Sequence, residues 1–363
     1  MIAKIKLSNF KCFENLELEL SKVNILSGIN GVGKSTIIQS ILLLRQSYQK
    51  ESLNKICLNG KYVLLGDGTD VLYEKAEQDY IKFEIFNEDG DRLECYAEIE
   101  AKNDNFICQN NLTSNMNFAF LDNKCIYLNA LRIAPRKFYQ MEPVKELKSK
   151  EYGIDGEFAL QYLKQYGDEI IVEKAMVVQT LEKSTLMNEV RYWMQQITPS
   201  VEINVELNDA LDISELRYEF VEGRYKTKSY RAINVGFGLT YVLPVVVAIL
   251  SAKPGELVIV ENPEAHLHPA GQTKMGELIA LAGAAGIQVI VETHSDHVVN
   301  GLRRIVKEGN IRPKDTKLMF FYKDEEDNYK HKVVTPEIQK DGRLNYWPMG
   351  FFDEWDKALY ELM

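Results

Sequence analysis

The chain has 363 residues, about twice a typical single domain, so one small binding module is excluded while a single large core and two lobes with an insertion both remain open. With 45% hydrophobic and 26% charged residues it is globular material rather than a disordered or fibrous chain. The 43 basic and 53 acidic residues give a net charge of −10, which excludes coating of nucleic acid or an anionic membrane by overall charge and leaves a local basic patch open.

The five cysteines, Cys12, Cys57, Cys95, Cys108 and Cys125, are widely spaced and include no CxxC pair, so they read as reduced thiols. The N-terminus alternates charged and apolar residues instead of running apolar as a signal peptide would. The most apolar stretch, Val242 to Leu250, carries Pro244 and is too short to span a bilayer. These features predict a soluble, cytoplasmic protein.

Ile5 and Leu7 alternate with lysines and Leu16, Leu18 and Leu20 with glutamates, predicting two half-exposed strands around Asn9-Phe-Lys-Cys-Phe. A third strand from Val23 runs into a glycine-rich turn, and Ile37, Ile38, Ile41, Leu42, Leu43 and Leu44 then predict a helix to about Tyr48. From Lys55 to about Tyr127 the pattern is strand-like, with turn signals at Gly66-Asp-Gly, Glu88-Asp-Gly-Asp and Asn103-Asp-Asn. Charged, aperiodic text around 141–152 precedes a mainly helical region from Phe158 to Ile197. Strand alternation resumes at Val201, Ile203, Val205 and Leu207 and again at Leu216, Tyr218 and Phe220. A helix from about Gly238 to Leu250 precedes two apolar strands, Leu257 to Val260 and Val289 to Val291, with a helix from about Gln272 to Ala282 between them. That order predicts buried parallel strands in an α/β fold.

Gly28-Ile-Asn-Gly-Val-Gly-Lys-Ser fits GxxxxGK[ST] and lies after a strand and before a helix, where a phosphate-binding loop belongs. Its backbone N–H groups, from Asn30, Gly31 and Gly33 onward, would form an anion nest at a helix N-terminus. Lys34 would reach the β- and γ-phosphates of ATP, Ser35 would offer its hydroxyl to Mg²⁺, and Thr36 would contact the α-phosphate.

Leu257-Val-Ile-Val-Glu261-Asn262-Pro263-Glu264-Ala-His266-Leu-His268-Pro269 supplies an apolar strand ending in acids, the other half of such a site. It resembles the DEPE-x-HLHP Walker B block of the RecF/SMC-like branch of ABC-type ATPases, a group that includes the ATPase halves of OLD-family and related phage-defence proteins. Asn9-Phe-Lys-Cys-Phe is similar to the family's N-terminal strand turn, and Glu292-Thr293-His294-Ser295 to its switch-histidine block. Asn234-Val-Gly236-Phe-Gly238-Leu-Thr240 sits where the family places its signature motif. The resemblance implies that Glu261 holds Mg²⁺, that His294 senses the γ-phosphate, and that Gly236 and Gly238 close over nucleotide held by a second copy. The segment from Asp341 to Trp355, with Trp347, Phe351 and Phe352, resembles an uncharacterised tail on stand-alone members of the group.

Two departures matter. Where the family has Asp then Glu, this chain has Glu261 then Asn262, and Asn262 can orient a water but cannot accept its proton. Either Glu264 takes the polarising role, or hydrolysis is so slow that nucleotide acts as a dimer clamp; slow but real hydrolysis is the preferred expectation. The signature reads Gly-Phe-Gly instead of Ser-Gly-Gly. Four of the five histidines, His266, His268, His294 and His297, lie close in sequence, and a zinc site is the rival to Walker roles for them. Arg132 and Arg136 end a strand-like segment and fit either a nucleotide or subunit contact or plain salt bridging. Asp324-Glu-Glu-Asp reads as a solvated hairpin turn.

The resulting expectation is an α/β P-loop NTPase, an ABC-type ATPase head with β-rich and helical insertions. It assigns 1–130 to an N-terminal lobe with Walker A, 131–215 to a mainly helical insertion, 216–320 to a C-terminal lobe, and 321–363 to a tail on the head. The implied activity is Mg²⁺-dependent ATP binding and hydrolysis driving a homodimer through ATP, in anti-phage defence or genome maintenance. The implied partners are DNA or a separate effector such as a nuclease or toxin, with no membrane; a nucleotide-gated sensor with negligible turnover is the alternative.

Overall fold

The computed structural model of the chain describes residues 1–122, 124–142, 152–177, 184–353 and 359–362. Most of the charged stretch expected around 141–152, and Trp355, lie outside them. The first strands are β1 (Ile2–Phe10), β2 (Phe13–Glu19), β3 (Val23–Gly28), β4 (Lys55–Cys57), β5 (Tyr80–Asn87), β6 (Arg92–Glu98), β7 (Asn105–Ile107), β8 (Gln109–Asn110) and β9 (Cys125–Leu128). They are followed by β10 (Tyr139–Gln140), β11 (Val201–Asn208), β12 (Ile213–Glu222), β13 (Tyr225–Lys226), β14 (Tyr230–Arg231), β15 (Leu257–Glu261), β16 (Gln288–Glu292), β17 (Thr316–Asp324) and β18 (Lys330–Val334). The helices are α1 (Lys34–Glu51), α2 (Gly68–Val71), α3 (Ala159–Tyr166), α4 (Leu186–Ile197), α5 (Phe237–Ser251), α6 (Pro269–Ala284) and α7 (Asp296–Lys307). They group into two compact units, one of Met1–Cys125, Lys317–Pro336 and Tyr346–Met363, the other of Ile126–Thr316 and Glu337–Asn345.

In the first unit an antiparallel sheet runs in the order β2-β1-β5-β6-β8. Its registers, with Ile5 opposite Leu18 and Ile85 and Phe83 opposite Cys95, put one set of apolar residues on one face. The other face carries a ladder of ion pairs, among them Lys4–Glu17, Lys6–Glu17 and Lys82–Glu94. In the same unit β3 neighbours β17, which pairs antiparallel with β18 around the acidic turn at 324–327, the solvated hairpin that the sequence predicts. Helix α1 is buried nearly all round, as its run of Ile and Leu requires.

Gly66-Asp-Gly, predicted as a turn, opens the short helix α2. Asp67 caps the N–H of Thr69 and Asp70 returns a bond to the N–H of Asp67, so a capping box wins over the turn signal.

In the second unit β15 and β16 run parallel, with Leu257 opposite Gln288 and Glu261 opposite Glu292, and β9 lies on the other side of β15. Both strands are buried along their apolar run, the pattern of a strand covered on both faces. Helix α5 is mostly apolar and continues through Pro244, because burial of the whole stretch from Val242 to Ser251 outweighs the lost N–H donor. Antiparallel β11 and β12 carry β10 and β14 beside them, and α4, capped by Thr185, packs against α5. Residues 216 and 321, at which boundaries are expected, lie within β12 and β17.

Helices α6 and α7 approach to backbone contact. A Cβ at Gly301 would lie 2.1 Å from the Thr273 carbonyl oxygen, and one at Gly276 would lie 2.1 Å from that of Val298. Gly301→Ala is therefore expected to force the helices apart and lower stability by about 1–3 kcal/mol. A urea midpoint unchanged from the parent chain would show that the close crossing is not a constraint.

Candidate nucleotide site

The first unit holds the phosphate loop. Strand β3 is buried to Ser27, and the chain then turns through residues 28–33 before α1 begins. Gly33 is the helix N-cap with φ 103°, in the left-handed region, and a Cβ there would lie 2.6 Å from the Phe13 ring and 2.7 Å from Cys12 Sγ. Only glycine lets the Asn9-Phe-Lys-Cys-Phe turn press against the loop. The Lys34 ammonium is buried and donates to the carbonyls of Gly28 at 2.9 Å and Ile29 at 2.8 Å, which holds it within the curve of the loop. Asn30 and Gly31 are exposed at the apex, and Ser35 is half-buried on the first turn of α1. Thr36, expected at the α-phosphate, is buried with its hydroxyl 3.7 Å from Cys12 Sγ. A brace the sequence did not single out is His331, whose Nδ1 lies 3.0 Å from the Val32 carbonyl and whose ring meets Phe13 edge-on at 6.0 Å.

The second unit holds the acids. Glu261 ends β15, and its carboxylate accepts a 2.8 Å hydrogen bond from the Tyr127 hydroxyl. Burial pushes the Glu261 carboxyl above the usual carboxylate range, while the Tyr127 hydroxyl, the Ala130 N–H and the charge of Arg132 oppose the rise. Burial is also the main cause that raises the Tyr127 phenol.

Asn262 adopts φ 46°, a left-handed conformation that asparagine tolerates, with its N–H donating to the Glu292 carbonyl at 2.8 Å. Glu264 is buried. Its Oε1 accepts the backbone N–H of His294 at 2.8 Å, while its Oε2 and the Oδ1 of Asn262 are buried without a hydrogen-bond partner among the described residues. The His294 side chain itself is exposed.

The two glycines expected in the signature differ. A Cβ at Gly238 would lie 2.4 Å from the His266 carbonyl, so Gly238 is needed for α5 to lie against the 262–268 loop. Gly236, the N-cap of α5, has open space around it. His266, at φ 62°, packs its ring edge-on to Tyr241 at 4.9 Å, and His268 caps α6 through Nδ1. Among the described residues no group of three or more His, Cys, Asp or Glu is arranged to hold a metal ion. Arg132 is buried and bonded to backbone carbonyls, whereas Arg136 is exposed. In the tail, Phe351 is fully buried against Phe320 and Trp347. No described helix is long and apolar enough to cross a membrane.

Comparison with known proteins gives the family and the fold. The AAA ATPase domain family matches residues 1–183, and an AAA domain family whose description adds the AbiEii toxin and a type IV toxin–antitoxin system matches residues 111–300. A family of unknown function, DUF3696, matches residues 311–362. No curated protein matches the sequence. Among solved structures, an Smc head bound to the C-winged helix domain of ScpA aligns with a TM-score of 0.53 at 16% identity, over 93% of this chain and 98% of its own. The Smc head domain with an extended coiled coil from Pyrococcus furiosus, bound to the C-terminal domain of ScpA, aligns at 0.51 and 15%, over 99% of both chains. The fold is thus that of an ABC-type P-loop ATPase head, and the chain belongs to the AAA ATPase domain family.

Proposed function

We propose that this ATPase is a nucleotide-driven homodimer switch with slow turnover. Lys34 and the N–H groups from Asn30 to Thr36 would hold the phosphates of ATP, and Gly236 at the open start of α5 would face the γ-phosphate held by a second copy. Mg²⁺ suits the Ser35 hydroxyl of the first unit and the Glu261 carboxylate of the second, each a hard oxygen donor, and would neutralise charge on the β- and γ-phosphates. The observation that carries hydrolysis is Glu264. One of its oxygens is fixed by the His294 N–H and the other is buried without a hydrogen-bond partner among the described residues, the state of a carboxylate prepared to orient a water. Asn262 contributes an amide oxygen to the same loop, and the exposed His294, two residues past the end of β16, would serve as the γ-phosphate sensor.

The dimer would act on DNA or on a separate effector such as a nuclease or toxin, in the cytoplasm, in antiviral defence or genome maintenance. The AbiEii-type family and the Smc heads bound to ScpA domains support that reading by analogy. Asn262 in place of a carboxylate favours a second reading, a sensor that binds ATP with negligible turnover.

Lys34→Ala is expected to abolish binding of a fluorescent ATP analogue. Glu264→Gln should keep that binding and lose at least about tenfold in steady-state phosphate release; unchanged release would remove Glu264 from the polarising role, and no release from the parent chain would favour the sensor. In light scattering, Glu264→Gln with MgATP should double in mass. Gly236→Ala should change stability by less than about 1 kcal/mol and yet suppress that doubling, and a mass independent of nucleotide would remove the ATP-bridged dimer.

A further inference from the structure

Arg132 is 1% exposed, and the hydrogen bonds of its guanidinium go to backbone carbonyls. NH1 donates to Asn129 at 3.0 Å and to Glu261 at 2.6 Å, NH2 donates to Asn262, and Nε donates to Tyr241 at 3.0 Å. The guanidinium carbon also sits 5.9 Å from the centre of the Tyr241 ring. Three of those carbonyls belong to different functional pieces of the second unit: Glu261 ends β15, Asn262 begins the catalytic loop, and Tyr241 lies on the first turns of α5.

A buried cation is a poor device for bulk stability, because desolvation opposes it and an apolar side chain of the same volume is often as stabilising. Burial pulls the Arg132 guanidinium down to about 10, and Glu264, Tyr241 and Glu261 counter that pull, so it remains charged at neutral pH. What arginine supplies and an apolar residue cannot is a rigid planar fork able to hold several carbonyls in one geometry. One of them is the carbonyl of Asn262, whose left-handed backbone aims the loop that carries Glu264.

We infer that Arg132 is a positioning residue for hydrolysis, whose fork locks the catalytic loop at Asn262 to the signature helix at Tyr241. The inference rests on the ATPase reading and on the place of α5 in it. Because the fork grips both pieces, a shift of the first turns of α5 on engagement by a second copy is transmitted to the loop that orients the attacking water. Nucleotide affinity, set by the Lys34 loop in the first unit, does not pass through this network.

The test compares Arg132→Met and Arg132→Lys with the parent chain in thermal unfolding, affinity for a fluorescent ATP analogue, and steady-state kcat and KM. Arg132→Met is expected to lose about tenfold or more in kcat with ATP affinity within about twofold, and Arg132→Lys, which can still hold one or two carbonyls, to fall between Met and Arg. If Arg132→Met does not fold, Arg132→Lys decides: loss of kcat at unchanged affinity supports the role. A folded variant with parental kcat, or one that loses affinity and kcat in the same proportion, overturns it. A parent chain that binds ATP without hydrolysing it would instead overturn the ATPase reading.

Discussion

Charge buried at the end of an apolar strand is the constraint on which the acidic half of the site depends. β15 is Leu257-Val-Ile-Val until Glu261, so the first acid appears where the strand leaves the core, and it is still buried enough for its ionised form to be disfavoured. The surroundings answer that cost locally. Tyr127 donates to the carboxylate, Arg132 places a positive charge beside it, and the N–H of His294 takes one oxygen of Glu264. Glu264 Oε2 and Asn262 Oδ1 are buried without a hydrogen-bond partner among the described residues, an unmet bond that costs about 1–3 kcal/mol at each.

The phosphate loop in the first unit solves the opposite problem, collecting positive potential without a pile of cations. It relies on left-handed glycine, backbone N–H groups at a helix start and one buried lysine, and the chain's overall negative charge is no obstacle because the attraction is local.

Much of this was legible in the sequence, because a phosphate loop and a Walker B strand are local in the chain. Gly28 to Ser35 states both its chemistry and its flanks, and Leu257 to Pro269 states strand, acids and helix start. The parallel β15 and β16 followed from two apolar runs separated by a helix. What sequence could not give are relations between distant residues. Gly236 and Gly238 look equivalent in a motif, yet only Gly238 faces a carbonyl, that of His266. Tyr127 stood in a segment read for its arginines, and its meeting with Glu261 requires knowing that β9 lies beside β15. Arg132 fits either a nucleotide or subunit contact or salt bridging in the sequence, and the hydrogen bonds its guanidinium makes to backbone carbonyls are ones that composition never reveals. His331 carried no motif at all. Gly66-Asp-Gly misled in the ordinary way, where a cap outweighs a local breaker signal.

The His331 brace has a consequence for how the molecule comes into being. The loop is encoded in residues 28–35, but the parts that steady it, β17 and the histidine on β18, are encoded far downstream, His331 lying 299 residues after Val32. A ribosome delivers those residues well after the loop, so the emerging chain carries the loop long before it carries the loop's support. The ability to grip a nucleotide firmly is in that sense a property of the finished polypeptide, and a chain broken off before residue 331 would have the motif without its brace.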